Sequence, residues 1–297
     1  LSQGEIRLSN TRLMSAIAAG ALLAVISGPA LAWNEEGHKI VALVADHYLD
    51  PAVKQRIDAI LASDTDPKAQ HDIAAAATWA DPNASDATTD SWHQLPIELD
   101  HPDLHAACGV HSPLAAGTPA SKGPADCSLD KIEQFSMELS TPGTSKAEQL
   151  LALKYLLNLV GDLHQPVLAS DNHNNSGEGT RVVGGGSDPG SLRHYWDSEF
   201  IDYLGDDPKA IADDLADGIR QSKTFDKMSA GTPHDWALES FTLAKEHAYG
   251  KLPAKKPDGS YELPPDYITD GIETARLQLA RAGVRLAALL NRALSKS

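Results

Sequence analysis

Cysteine is scarce: Cys108 and Cys127 are the only two in 297 residues, too few for a cysteine-rich scaffold. Aromatic residues make up only 5% of the chain. Basic residues are also short, with 25 Lys and Arg against 41 Asp and Glu, for a formal charge of −16. Such a surface repels polyanions at long range, which argues against a sequence-specific duplex binder with a basic face. A nucleic-acid partner would have to be held locally, for instance through bound metal cations. No apolar run reaches the ~20 residues that a membrane span needs. The Leu13 to Ile26 stretch comes nearest and falls short. No internal repeat and no strong strand series is visible.

What is present begins with an export signal. Arg7 and Arg12 precede the apolar Leu13 to Ile26 stretch, and Ala30-Leu31-Ala32 supplies the small residues of a cleavage site. Residues 1–32 are expected to be removed, leaving a domain over 33–297. The removed part holds Glu5, Arg7 and Arg12, a net +1, so the processed chain would carry about −17. Trp33 would become the new N-terminus, with a free amine five residues before His38. An amine, a backbone carbonyl and a nearby imidazole can together bind a metal ion. The expected location is secreted or periplasmic, where Cys108 and Cys127 are most simply a disulfide closing one loop.

The hydrophobic spacing is mostly helical. Helices are predicted over 37–49, 52–61, 72–79, 129–139, 146–163, 192–203, 208–221, 234–249 and 267–294. Asp50-Pro51 ends the first and opens the second. Residues 82–127 read as loop, rich in Pro, Gly, Asp and Ser, and residues 170–191 read as a mobile loop rich in Gly, Asn and Ser. The fold class expected is a single all-α domain.

Several His and Asp residues fall at the ends of these helices. His38 opens one, Asp81 closes another, His93 follows a short loop, and Asp162 lies on the long helix near His164. His194 and Asp197 are three apart, which places them on one face of a regular helix. Such nitrogen and oxygen donors suit zinc, and a carboxylate can bridge two ions. Singly none is distinctive, since an Asp before Pro, as at Asp81, also simply ends helices.

Their order carries the signal. Trp33-Asn34 with Gly37-His38, Thr78-Trp79-Ala80-Asp81, Trp92-His93, Gly161-Asp162-Leu163-His164-Gln165-Pro166 and His194-Tyr195-Trp196-Asp197 follow one another along the chain. Trp236 with Glu239-Ser240 and the Ala282 to Asn291 stretch continue the series. This order resembles the secreted, zinc-dependent, single-strand-specific nucleases of fungi, plants and bacteria, relatives of bacterial zinc phospholipase C. The resemblance implies an all-helical, phospholipase C/nuclease-like domain with three zinc ions at the bottom of a cleft. It assigns Trp33 and His38 to one zinc, and Asp81 and His93 to a second. Asp162 bridges the two, and Asp197 belongs to the third. It also implies hydrolysis of single-stranded DNA or RNA to 5′-phosphate products, with Asp81 and Asp162 as catalytic residues, by a monomer not bound to a membrane after processing.

The chain departs from that pattern at three ligand positions. Asn158, Leu168 and Arg193 stand where the family has histidine. Asn158 offers at most an amide oxygen to the bridged pair. Leu168 cannot bind a metal, and Arg193 does not deprotonate to do so. Two zinc ions are therefore expected, with the third site in doubt. Arg193 and Asp197, four apart, either form an ion pair that supplies positive charge to a phosphate, or mark a decayed site. Two other family positions are also changed, to Ala84 and Pro96, so base preference does not carry over. Trp92 and Tyr195 are candidates to stack on a base or to fill the core. The alternatives are a catalytically impaired homologue that binds metal or nucleotide, and a zinc phospholipase C.

Overall fold

The centre of the molecule is a helix that is buried on every side. In a computed structural model, residues 33–66, 69–80, 89–109, 114–115, 117–124 and 127–295 are described. The Lys146–Leu163 helix starts at Ser145, whose hydroxyl accepts from Glu148 N at 3.2 Å. From Ala152 to Leu163 every residue is buried. A helix apolar all round belongs in a core, so the polar residues it carries there, Lys154, Asn158 and Asp162, enter the interior with it.

The other helices surround it. The first, Glu35–Asp46, is capped by Asn34, whose side chain accepts from Gly37 N at 2.9 Å, and Glu35 and Glu36 sit favourably in its first turn. Pro51 opens the second, Pro51–Leu61, where the Asp50-Pro51 pair predicted a boundary. The Ser128–Ser140 helix packs along the central one, and the closing helix, Pro265–Leu294, packs across the first. That crossing is close: a side chain at Gly283 would meet Val44 Cβ at 2.5 Å. Cys108 and Cys127 are joined as a disulfide. No helix among the described residues is long and apolar enough to cross a membrane.

The domain is mostly helical, as the periodicity predicts, with additions that it does not reveal. Short helices form at Leu104–Cys108 and Phe225–Ser229. A small sheet joins β1 (Arg181–Gly184) antiparallel to β2 (Gly190–Ser191) and parallel to β3 (Tyr261–Leu263). These strands have 2–4 residues; the first two lie in the 170–191 segment that reads as loop, and the third lies between the predicted 234–249 and 267–294 helices. Segments so short carry no period to read. Trp92 and Tyr195 are both core residues. Trp92 packs edge-on against Phe135 and Tyr155 beneath the Lys131 ammonium, and the Tyr195 hydroxyl donates to Gly184 O at 3.2 Å.

The central helix is tied to its surroundings by an ion pair. Lys154 Nζ bonds Asp64 Oδ2, with both side chains more than nine-tenths buried, and the ammonium lies 4.6 Å from the Trp79 ring centre. Burial alone would raise the Asp64 carboxyl, but the Lys154 hydrogen bond and charge outweigh it and hold its pKa below the ordinary value. Asp64→Asn leaves a buried ammonium without its counter-charge and is expected to cost about 3 kcal/mol at neutral pH. Because the folded-state pKa is the lower one, the wild-type advantage is present above the unfolded carboxylate pKa and fades as pH drops below about 4. Denaturant melts of both proteins from pH 7 to pH 3 check this, and a constant difference across that range would contradict it.

Candidate metal centre

Three elements converge on one carboxylate. The last turn of the central helix presents Asp162. The first helix contributes His38, and a short 3₁₀ turn, Asp90–His93, contributes His93. Asp162 Oδ1 lies 3.3 Å from His38 Nε2, and Oδ2 lies 2.8 Å from His93 Nδ1. All three side chains are buried. Trp33 is also fully buried, and its indole N–H donates to Gly161 O at 2.9 Å. The residue that processing would leave at the terminus thus sits one peptide from the central carboxylate.

The glycines of the two motifs have a packing role here. A Cβ at Gly161 would stand 2.9 Å from His38 Nδ1, and one at Gly37 would stand 2.7 Å from Trp33 Cβ. Both contacts are too short for a methyl group, so the first helix approaches Asp162 only where these side chains are absent. Asn158 occupies the position one turn before Asp162. Its amide nitrogen donates to Ala77 O at 3.1 Å and lies 3.4 Å from His38 Nε2. Asp81 lies outside the described residues, beyond the helix that ends at Ala77.

This donor set fits zinc. A carboxylate in an apolar interior requires compensating positive charge, and Asp162 Oδ1 is shielded from solvent and faces His38 Nε2 with no well-aligned hydrogen bond among the described residues. Its neighbours are two imidazoles, borderline donors well suited to Zn²⁺.

The third site does not fit. Asp197 accepts from Gln165 Nε2, and Gln165 Oε1 in turn accepts from Val167 N at 2.5 Å and Leu168 N at 3.3 Å. Burial raises the Asp197 carboxyl well above its ordinary pKa, against the opposing charge of Arg193 and the Gln165 bond. Leu168 is core. The i,i+4 ion pair expected between Arg193 and Asp197 is absent. Arg193 instead donates Nε to Ser176 O at 2.9 Å and Nη2 to Asn175 O at 2.8 Å. The helical run over 192–202 is wound as a π-helix at Tyr195–Glu199, which changes the angle between residues four apart. His194 Nε2 lies 3.2 Å from Glu199 Oε1, an i,i+5 neighbour. A lone carboxylate, a leucine and a bound guanidinium make no zinc site.

The 170–191 segment, read from composition as mobile, is heavily bonded at its start. Asp171 Oδ1 accepts from Asn174 N at 3.1 Å and Ser176 N at 2.8 Å, Asn174 Oδ1 accepts from Gly177 N at 2.9 Å, and the Tyr249 hydroxyl donates to Asn174 at 3.2 Å. His173, Asn175 and Ser176 take left-handed backbone angles that these bonds and the Arg193 contacts sustain. The Asp-x-x-Asn spacing was the available signal, since both side chains accept from backbone N–H groups three to five positions on. Gln165 also has a structural role that its motif alone does not reveal. His164 is a buried neutral residue, not a ligand: Nδ1 lies 2.7 Å from Val160 O, and Arg285 Nη1 lies 2.9 Å from Nε2. Burial, with the Arg285 charge, pushes its pKa down to about 3.

Known proteins share this sequence over most of its length. The chain is 27% identical to Nuclease S1 of Aspergillus oryzae over 277 residues, covering 87% of this chain and 91% of that protein. It is 26% identical to Endonuclease 2 of Arabidopsis thaliana over 279 residues, with 88% and 90% covered. It is 25% identical to Nuclease P1 of Penicillium citrinum over 279 residues, with 87% and 97% covered. The family model described as S1/P1 Nuclease matches residues 33–295, from the buried Trp33 to the end of the closing helix, and the chain therefore belongs to the S1/P1 nuclease family.

Proposed function

We propose that this chain is an exported zinc-dependent endonuclease that hydrolyses phosphodiester bonds of single-stranded DNA or RNA to 5′-phosphate products, working with two zinc ions as a monomer. The observation that carries the reading is the buried Asp162 carboxylate set between His38 and His93 in a nuclease-family domain. Removal of residues 1–32 would place the Trp33 amine at this centre, beside Gly161. Trp33, His38, Asp81, His93, Asn158 and Asp162 would hold the metal, and Asp197 would not. Zinc bound there would supply Lewis acidity toward phosphate and lower the pKa of water toward neutrality.

The chain's own residues prepare that site. His38 and His93 fix both oxygens of Asp162, so the carboxylate has one orientation before substrate arrives. The fully buried Trp33 indole ties its residue to Gly161 O. Arg193 is not available to a phosphate: two of its nitrogens are bonded to loop carbonyls and the side chain is buried. Its role is to hold the 175–176 segment. A second reading, a homologue that binds metal or nucleotide with little hydrolysis, is favoured by one observation, the surroundings of Asp197, which bonds Gln165 while Arg193 is bonded to loop carbonyls.

Three outcomes are expected. A chain that keeps Ala32 ahead of Trp33 should bind one zinc fewer than the processed chain by elemental analysis, and equal zinc contents would remove the amine from the ligand set. Asp162→Asn should lose both zinc ions and at least about 100-fold in cleavage of single-stranded DNA; full activity in this variant would overturn the nuclease reading, whereas zinc binding without cleavage in the wild type would favour the second one. Finally, wild type should hold two zinc ions at the centre, and Leu168→His with Arg193→His should raise that number by one. A wild-type centre that already holds three would show that Asp197 binds metal without those histidines.

A further inference from the structure

A second group of metal-ligating side chains lies apart from the centre. Residues 95–99 run beside 168–171. Leu95 N donates to Leu168 O at 3.0 Å, Asp171 N to Ile97 O at 2.8 Å and Leu99 N to Asp171 O at 2.9 Å. This pairing brings Glu98 and Asp100 to His173. Glu98 Oε2 lies 3.2 Å from His173 Nδ1, and Asp100 Oδ2 lies 3.3 Å from His173 Nε2. One ligand atom from each of the three stands within 4.8 Å of the other two. The other such group among the described residues contains Cys108 and Cys127, whose sulfurs are spent in the disulfide.

Three features set this group apart from an ordinary surface ion pair. Its parts are held by backbone, since the strand-like pairing fixes Glu98 and the Asp171 and Asn174 bonds fix the left-handed turn that carries His173. Glu98 Oε2 is shielded from solvent and faces His173 Nδ1 at 3.2 Å, with no well-aligned hydrogen bond among the described residues. The charge is also unbalanced. Glu98, Asp100 and Asp171 face His173, and among the described residues His101, 3.9 Å from Asp100, is the further basic group paired there. The side chains of His173 and Asp100 are more than half exposed, which leaves an entering ion room to keep water ligands.

We propose that Glu98, Asp100 and His173 form a peripheral divalent-cation site, clamping the segment after His93 to the loop after Leu168. One imidazole with two carboxylates suits zinc or manganese better than magnesium or calcium, which prefer oxygen alone. The ion takes the place of the proton on one ring nitrogen of His173, so binding competes with protonation of the imidazole. Metal binding here is independent of the nuclease reading. A consequence that does rest on that reading is reduced repulsion of a polyanionic substrate at this acidic corner.

The test is a zinc count by equilibrium dialysis and elemental analysis on the processed chain, comparing wild type with Glu98→Gln/Asp100→Asn and with His173→Asn. The first variant is isosteric, and asparagine tolerates the left-handed backbone at position 173. Both are expected to lose one zinc equivalent per chain while keeping the remaining equivalents and the wild-type melting temperature in the presence of chelator. Asp162→Asn is expected to keep the equivalent that these variants lose. The proposal is overturned by equal zinc counts in wild type and Glu98→Gln/Asp100→Asn, or by Asp162→Asn removing every bound zinc. Absence of cleavage by a protein that retains the peripheral equivalent would count against the nuclease reading alone.

Discussion

A carboxylate inside a protein is expensive unless something nearby carries compensating charge, and Asp162 sits on a helix with no solvent-facing side. Much of the domain is arranged around that requirement. The first helix brings His38 to one oxygen and the 3₁₀ turn brings His93 to the other. Gly161 and Gly37 let the first helix come close enough for His38 to reach. Trp33 closes the same corner through Gly161 O. The residues of this proposed metal centre are thus core residues, and the long apolar helix carries Asp162 to the interior.

The region around Asp197 is held by hydrogen bonds and apolar packing. Leu168 joins the core, and Gln165 ties Asp197 to the backbone of the following turn. Arg193, a permanent cation, holds two carbonyls of a left-handed segment. A metal ion joins segments by drawing ligands from each; here hydrogen bonds from one guanidinium do so with a different chemistry. The helix is wound as a π-helix at Tyr195–Glu199, and the Arg193 hydrogen bonds go to Asn175 and Ser176 while Asp197 bonds Gln165.

Much of this was legible in the chain. The central helix, its Asn158 and Asp162, the Asp50-Pro51 boundary and the pairing of Cys108 with Cys127 all follow from local signals that the structure preserves. The bonded start of the 170–191 segment did not follow, because Gly, Asn and Ser describe both a loose loop and one locked by Asx turns. The small sheet did not follow either, since strands of two to four residues leave no alternation to detect.

By itself the sequence determined the helical class, the order of the ligand motifs and the three missing histidines, because helix period, caps and side-chain chemistry are local properties. Only the tertiary structure decided which of those residues meet. It joined Trp33, His38, His93 and Asp162, turned Arg193 to a loop instead of to Asp197, and gathered Glu98, Asp100 and His173 from segments with no sequence relation. The reason is physical: distances between side chains on different elements depend on helix winding and packing, which no spacing along the chain encodes.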